Sequence, residues 1–325
     1  MSEDTAEQHG SRAPHRDRPT FRLTWAVTAA VVLLGGAVVA TSHAGNGWGR
    51  KAGAAASSSS PPSPSAPGSA SASPPVENVV AETETVDLDA ALASVVAEAD
   101  GGLSVAVRDA RSGASAIYGE ETFDTASIVK VDILAALLLQ AQDEGRGLTA
   151  RERSLASTMI ENSDNAAALA LWRSIGRTDG LEAANERFGM TGTEGGTGDL
   201  WGLTQTTAAD QLSVLDAVFG DESPLTEDSR AYVTDLMEHI SAGQDWGVSA
   251  AASTGSQGVE TALKNGWLPR TATGLWDINS IGRIASGGRT YHVAVLSDGN
   301  RTKESGIRTV EDAARTAVAA LRATM

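Results

Sequence analysis

A serine and a lysine three positions apart, Ser127 and Lys130, are the residues of this sequence best placed to do chemistry. They stand in the stretch FDTASIVK, where a helical pattern begins, so both side chains lie on one helix face a turn apart. A serine hydroxyl is a weak nucleophile, but an amine of lowered pKa can take its proton, and a helix N-terminus directs N–H groups at an oxyanion. The pair therefore indicates acyl transfer through Ser127. Taken alone, S-x-x-K favours a plainer interpretation, a serine cap followed by a solvated lysine.

A second motif, Ser163-Asp164-Asn165, follows thirty-six residues after Ser127 at the junction between two predicted helices. The Ser163 hydroxyl can relay a proton to a leaving nitrogen, and the Asn165 amide can hold a substrate or a lysine. Asp164 is expected to orient the turn. Helix capping explains the same three residues when they are considered alone.

A third motif, Lys264-Asn265-Gly266-Trp267, lies near the C-terminal end. In a strand, Lys264 would face a substrate carboxylate, and the edge at Gly266 would accept a peptide-like backbone. The alternative is a Lys-Asn-Gly hairpin turn. S-x-x-K, S-D-N and K-x-G in this order form a specific set, although each motif is weak alone.

Periodicity predicts the elements that must position these motifs. Helices are predicted at 86–99, 127–144, 149–161, 165–175, 179–188, 206–219, 226–240 and 303–321, and strands at 103–110, 114–118, 259–264, 275–284 and 291–296. Strands gathered from both chain ends, with a block of helices between them, predict one antiparallel sheet flanked by helices in an α+β fold.

Composition narrows the classes of function. Hydrophobic residues make up 41% of the 325 positions, as in a globular protein, and the net charge of −16 argues against a nucleic-acid partner. Cysteine is absent, which excludes disulfides, thiolate nucleophiles and cysteine-based zinc sites. His239 and His292 are isolated in the sequence, so they do not indicate a metal site. No cofactor is expected, and the domain is expected to be a monomer. The tryptophans at 201, 246, 267 and 276 could be core, with Trp267 at the rim of a cleft.

The N-terminal part predicts export. Residues 1–22 would be cytoplasmic, 23–44 a transmembrane anchor or signal peptide, 45–78 a disordered Ala/Ser/Pro linker, and 79–325 the folded domain. The domain would then be extracytoplasmic, tethered to the membrane by the N-terminal helix, or secreted if cleavage follows Ala44. A lipoprotein anchor is excluded because no cysteine follows the apolar run.

From about residue 86 onward, the chain resembles the class A β-lactamases and penicillin-binding serine hydrolases, through F-x-x-A-S-x-x-K at 123–130 and M-I-x-x-S-D-N at 159–165. The resemblance implies that Ser127 is acylated, Lys130 accepts its proton and Ser163 shuttles a proton. It also implies that Asn165 contacts the substrate and the lysine. Lys264, with Asn265 and Gly266 beside it, would bind the substrate carboxylate. The backbone N–H groups of Ser127 and Trp267 would form an oxyanion hole. The substrate would be a β-lactam or a D-Ala-D-Ala-like peptide of peptidoglycan.

Two departures from the family pattern affect the expected activity. Asn265 stands where the family has threonine, so carboxylate binding would be altered. The loop at 188–206 lacks the E-x-x-L-N whose glutamate activates the deacylating water, and its acids are Glu194 and Asp199. We expect acylation to be faster than deacylation. There are two alternatives: a broad esterase that uses the same residues, and a non-catalytic protein that binds cell wall or antibiotic. The presence of both Ser127 and Lys130 argues against the non-catalytic protein.

Overall fold

The computed structural model describes residues 85–253 and 261–325, all within one compact unit, Val76–Met325. Its helices are α1 (Asp89–Glu98), α2 (Val129–Asp143), α3 (Ala150–Glu161), α4 (Asn165–Ser174), α5 (Thr178–Phe188), α6 (Ala208–Phe219), α7 (Glu227–Glu238) and α8 (Lys303–Ala323). Its strands are β1 (Thr85–Asp87), β2 (Leu103–Asp109), β3 (Ser115–Tyr118), β4 (Phe123–Asp124), β5 (Gln205–Thr206), β6 (Ala262–Pro269), β7 (Trp276–Ser286) and β8 (Arg289–Asn300).

Six strands form one sheet in the order β1-β3-β2-β8-β7-β6, which places β6 at an edge. All neighbouring pairs are antiparallel except β1 and β3, which are parallel. The two-residue strands β4 and β5 pair separately. The predicted α+β fold with a sheet built from both chain ends is therefore confirmed. The predicted helix at 86–99 begins later, because β1 comes first.

Helices cover both faces of the sheet and create two hydrophobic cores. On one face α2 is the centre, and twelve of its fifteen residues are buried. A helix that is apolar on nearly all sides belongs in the middle of a helical block. On the other face α8 packs its stripe of Val310, Ala314, Ala317 and Leu321 against the sheet, together with α1. This arrangement places the start of α2 beside the edge strand β6.

The three motifs occupy different kinds of element. Ser127 lies in a 3-10 turn, Ala126–Ile128, that leads directly into α2. Ser163 lies between α3 and α4. The Lys264-Asn265-Gly266 motif lies inside β6, paired with β7, so the hairpin-turn alternative is wrong. The predicted strand at 259–264 continues to Pro269, and its first two residues lie outside the described part of the chain.

The predicted cytoplasmic segment, membrane anchor and linker, together with the predicted domain start at 79, lie outside the described residues. Within 85–253 and 261–325, none of the helices combines the length and the apolar character needed to cross a bilayer.

Candidate active site

The turn that carries Ser127 is held in an uncommon conformation. Ala126 has a φ of +49°, in the left-handed region that residues other than glycine rarely adopt. Thr125, just before it, donates its N–H to the carbonyl of Thr204 at 2.8 Å. Strain of this kind persists only where the surroundings fix the backbone, and it clusters at functional sites.

The Lys130 side chain is completely buried, and its Nζ is surrounded by oxygens. It lies 3.0 Å from Ser127 Oγ, 3.0 Å from Ser163 Oγ, 2.7 Å from the Ser163 carbonyl and 2.9 Å from Asn165 Oδ1. The carbonyl and amide oxygens can only accept hydrogen bonds, so they engage both N–H bonds of a neutral amine. The lone pair of that amine then faces the two hydroxyls. This geometry allows Lys130 to take a proton from Ser127.

The electrostatics favour the neutral amine. Burial lowers the pKa of Lys130 to about 7, while the negative charge of Asp164 acts in the opposite direction. Asp164 is itself held as the N-cap of α4, where it accepts the N–H of Ala167 at 2.7 Å. A large fraction of Lys130 is therefore unprotonated near neutral pH, as a general base must be.

Ser163 connects two buried amines. Its backbone is also left-handed, with φ +56°, and its Oγ lies 3.1 Å from Lys264 Nζ. Lys264 is 1% exposed, and burial, followed by the charge of Lys130, lowers its pKa. A proton on one of these lysines therefore disfavours a proton on the other. We call Ser127, Lys130, Ser163 and Lys264 the Ser–Lys cluster.

Gly266 brings the edge of β6 against the Ser127 turn. A Cβ atom at this position would lie only 2.7 Å from the Thr125 carbonyl and 2.9 Å from Ser127 N. Opposite Gly266 in β7, Asn279 donates its amide to the carbonyls of Asp124 at 2.8 Å and Thr125 at 3.0 Å. Only glycine permits this approach, and Asn279 fixes the turn from the sheet side.

The side chains of Asn265 and Trp267 lie away from the Ser–Lys cluster. Asn265 donates both amide hydrogens, to the carbonyls of Gln244 at 2.8 Å and Trp246 at 2.9 Å, so it anchors that segment. Trp267 packs in the core on the α8 side, with Lys303 Nζ 4.2 Å from its ring centroid. Strand alternation explains this, because residues next to Lys264 and Gly266 point to the opposite face. The role expected for the Trp267 backbone N–H stays a prediction.

The two acids of the 188–206 loop are engaged elsewhere. Hydrogen bonds from Arg173 and Arg177 lower the pKa of Asp199 to about 2. The backbone of Glu194 pairs with Gln205, and its side chain is exposed. Within the described residues, neither carboxylate has a hydrogen bond to the Ser–Lys cluster.

Two residues at the site were missed by sequence reasoning. Trp201, expected in the core, does pack against it, but its ring centroid also lies 4.9 Å from Lys130 Nζ, a contact that was not expected. A large aromatic side chain in a loop of small residues was a usable signal. Asn279 was also missed, and its signal was a polar residue in the interior of a mostly apolar strand.

The histidine of the domain core has a structural environment. His292 is buried, with Nδ1 2.7 Å from Asp216 Oδ1 and its ring beside Phe219. In 85–253 and 261–325, no group of three or more His, Asp or Glu side chains is arranged to hold a metal ion.

Comparisons with known proteins identify the family and the fold. A family model described as the beta-lactamase enzyme family matches residues 87–153 and 142–321. The fold is similar to the TLA-1 extended-spectrum β-lactamase, with 15% identity, coverage of 70% of this chain and 96% of that chain, and a TM-score of 0.62. It is also similar to a class A β-lactamase from Mycobacterium abscessus, with 22% identity, 71% and 98% coverage and a TM-score of 0.60. At these identities the likeness shows the fold.

Curated relatives are found among mycobacterial proteins. "Putative lipoprotein LppW" of Mycobacterium tuberculosis is 28% identical over 170 residues, which are 51% of this chain and 54% of the relative. A protein of the same name in Mycobacterium bovis matches over the same extent. The chain thus spans about half the length of the curated relatives it matches.

Proposed function

Because the chain belongs to the beta-lactamase enzyme family, we propose that it is an exported serine hydrolase that forms an acyl-enzyme on Ser127 with β-lactams or D-Ala-D-Ala-like amides. The observation that carries the proposal is the fully buried Lys130 amine, 3.0 Å from Ser127 Oγ. Burying an amine costs stability, and a protein that only binds its ligand gains nothing from doing so beside a serine. This favours catalysis over the non-catalytic alternative.

Acylation follows from the arrangement of the cluster. Neutral Lys130 takes the Ser127 proton as Oγ bonds to the substrate carbonyl carbon, and the carbonyl oxygen becomes an oxyanion near the N–H groups of Ser127 and Trp267. The scissile C–N bond then breaks as Ser163 gives its proton to the leaving nitrogen. Ser163 regains a proton from Lys130, which returns to the neutral amine. Lys264 would hold the substrate carboxylate, whose charge favours protonation of that buried amine.

Deacylation lacks an evident base. Freeing Ser127 requires a water aimed at the ester and a group to take its proton. Asp199 is paired with two arginines, and Glu194 precedes Gly195 and Gly196, whose backbone freedom makes its placement costly. We propose that the acyl-enzyme accumulates because its hydrolysis is slow.

Stopped-flow mixing with a chromogenic cephalosporin tests this proposal. We expect a burst of close to one equivalent per protein, followed by a much slower steady rate. Sustained turnover at roughly tens per second, common for enzymes, would contradict slow deacylation. If Glu194→Gln abolished that turnover, Glu194 would be the deacylating base. Absence of any burst, with no turnover, would contradict acylation itself.

The acylation rate should depend on pH through Lys130. Since its pKa is lowered to about 7, the neutral base is lost as pH falls below that value. We expect the acylation rate constant to drop about tenfold per pH unit below pH 7 and to level off above it. Rates of labelling by a fluorescent penicillin between pH 5.5 and 8.5 would measure this. A flat profile would show that Lys130 is not the base.

The location of the domain is proposed from the apolar run in 23–44 and from the relatives. Those relatives are named as lipoproteins, which supports an extracytoplasmic position at a membrane. This chain has no cysteine to carry a lipid, so we propose that the apolar run itself provides the tether. The linker at 45–78 would then hold the domain away from the bilayer.

A further inference from the structure

Past Gly266, strand β6 leads to a pocket that the proposed mechanism does not use. It has a volume of about 450 Å³ and lies between the ends of β4 and β5 and the turn that joins β6 to β7. Its charged lining consists of Asp124, Asp277, Asp298 and Arg270. We call this the acidic pocket.

The charges of the acidic pocket are unbalanced. Arg270 forms an ion pair with Asp124 and lies 3.4 Å from Asp277 Oδ2, so two of the three carboxylates share one guanidinium. Asp298 accepts only the N–H of Gly102, at 2.9 Å, among the hydrogen bonds of the described residues. The net charge of the lining is therefore negative.

Asp277 is the unusual member of the group. It is 4% exposed, and among the described residues nothing donates a hydrogen bond to its Oδ2. Burial raises the pKa of Asp277 to about 6; Arg270 opposes this, while Asp124 and Asp298 add to it. The only cation near this buried carboxylate in the described part of the chain is Arg270, which also pairs with Asp124. A buried charge that is only partly compensated is costly, and a cationic ligand in the pocket would add compensation.

The acidic pocket lies on the same side of the sheet as the nucleophile. In the register of β6 and β7, Gly266 is opposite Asn279, and Leu268 is opposite Asp277. Residues two apart in a strand share a face, and they are roughly 7 Å apart. Asp277 therefore points to the face on which Asn279 holds the Ser127 turn. Asp124, which lines the acidic pocket, is three residues before Ser127. The Cα atoms of these two residues are therefore at most about 11 Å apart.

The position along β6 shows which part of a substrate would reach the pocket. Lys264, the proposed partner of the carboxylate on the leaving group, precedes Gly266 in the strand. Asp277 lies beyond Gly266, opposite Leu268. The two charged groups flank the nucleophile on opposite sides, so the acidic pocket faces the acyl part of the substrate.

We propose that the acidic pocket binds a primary ammonium or guanidinium group on the acyl part of the substrate. The inference rests on the proposed function and narrows its substrates to amides or β-lactams with a distal cation. Asp277 and Asp298 supply the negative charge that attracts this cation, because Arg270 alone does not neutralise the three carboxylates. Asp124 remains engaged with Arg270.

Two penicillins made from 6-aminopenicillanic acid test the proposal. One carries a 6-aminohexanoyl chain, which ends in a positively charged ammonium group. The other carries the same chain with an N-acetyl group on the amine, which removes the charge. We expect the amine probe to acylate Ser127 about tenfold faster, on the scale of a partly buried charge pair. Asp277→Asn with Asp298→Asn should bring the ratio of the two rates close to one, and 1 M salt should reduce it. Asp312→Asn, on the exposed surface of α8, should keep the ratio.

Calorimetry with the Ser127→Ala variant separates binding from acylation. The amine probe should bind about tenfold more tightly than the acetylated probe. Equal affinities, or equal acylation rates in the native protein, would overturn the pocket assignment. Tighter binding of the amine probe without any labelling of the native protein would overturn the proposed function and leave the pocket assignment intact. Asp298→Asn alone, at an exposed position, should lower the ratio even if the double variant is unstable.

Discussion

Replacing Lys130 by methionine is expected to slow acylation of Ser127 by at least about a hundredfold, the scale of losing a positioned general base. Methionine is close to lysine in length and is suited to a buried site, but it cannot accept the Ser127 proton. The Nζ that it removes contacts Ser127, Ser163 and Asn165. The measurement is the second-order rate of labelling by a fluorescent penicillin, with thermal melting to show that the variant is folded.

Lys303→Met is the matched control for this experiment. Lys303 is also a lysine near β6, but its ammonium lies over the rings of Trp246 and Trp267 on the α8 side of the sheet. We expect its labelling rate to stay within a few-fold of the native rate. If Lys130→Met also labelled at the native rate, Lys130 would be a structural lysine and the acyl-transfer mechanism would lose its base.

Replacing Gly266 by alanine should slow the acylation of Ser127 about as much as replacing Lys130 by methionine. The new Cβ would lie 2.7 Å from the Thr125 carbonyl, 2.9 Å from Ser127 N and 3.1 Å from Ile128 N, so strand β6 or the Ser127 turn must move. Displacement of reacting groups by about 1 Å can cost roughly a hundredfold in rate. We therefore expect Gly266→Ala to lose about a hundredfold in labelling rate.

Gly147→Ala is the control for this glycine, because nothing lies within 4 Å of a Cβ built there. Its labelling rate should match that of the native protein. A folded Gly266→Ala variant that labels as fast as Gly147→Ala would show that contact between β6 and the Ser127 turn is not needed for acylation.

The fold could be predicted from the sequence because its periodic patterns are strong. The apolar run after Ser127 is buried on nearly every side as α2, and the stripe of α8 faces the sheet. The motifs that the structure brings together were also visible, since spacing alone placed Lys130 one turn from Ser127. The order of the motifs could not predict that Ser163 would lie between Lys130 and Lys264. The contact between Ser163 and Lys264 joins residues 101 positions apart.

Other features depended on tertiary contacts that short patterns do not encode. Asn265 was expected to contact substrate, but both hydrogens of its side-chain NH2 group are donated to the carbonyls of Gln244 and Trp246. The lowered pKa of Lys130 comes first from burial. The Trp201 ring that lies 4.9 Å from its Nζ belongs to a loop distant from Lys130 in sequence. Propensity describes neighbours in sequence, whereas burial and pKa depend on neighbours in space.

Mass spectrometry of the intact protein after incubation with benzylpenicillin, followed by peptide mapping, tests the central claim most directly. The acyl-enzyme on Ser127 predicts one added penicilloyl group, located on the peptide that contains Ser127, and no adduct in Ser127→Ala. Slow deacylation further predicts that the adduct persists after excess penicillin is removed. An adduct on another residue, or equal labelling of Ser127→Ala, would contradict the assignment of Ser127 as the nucleophile.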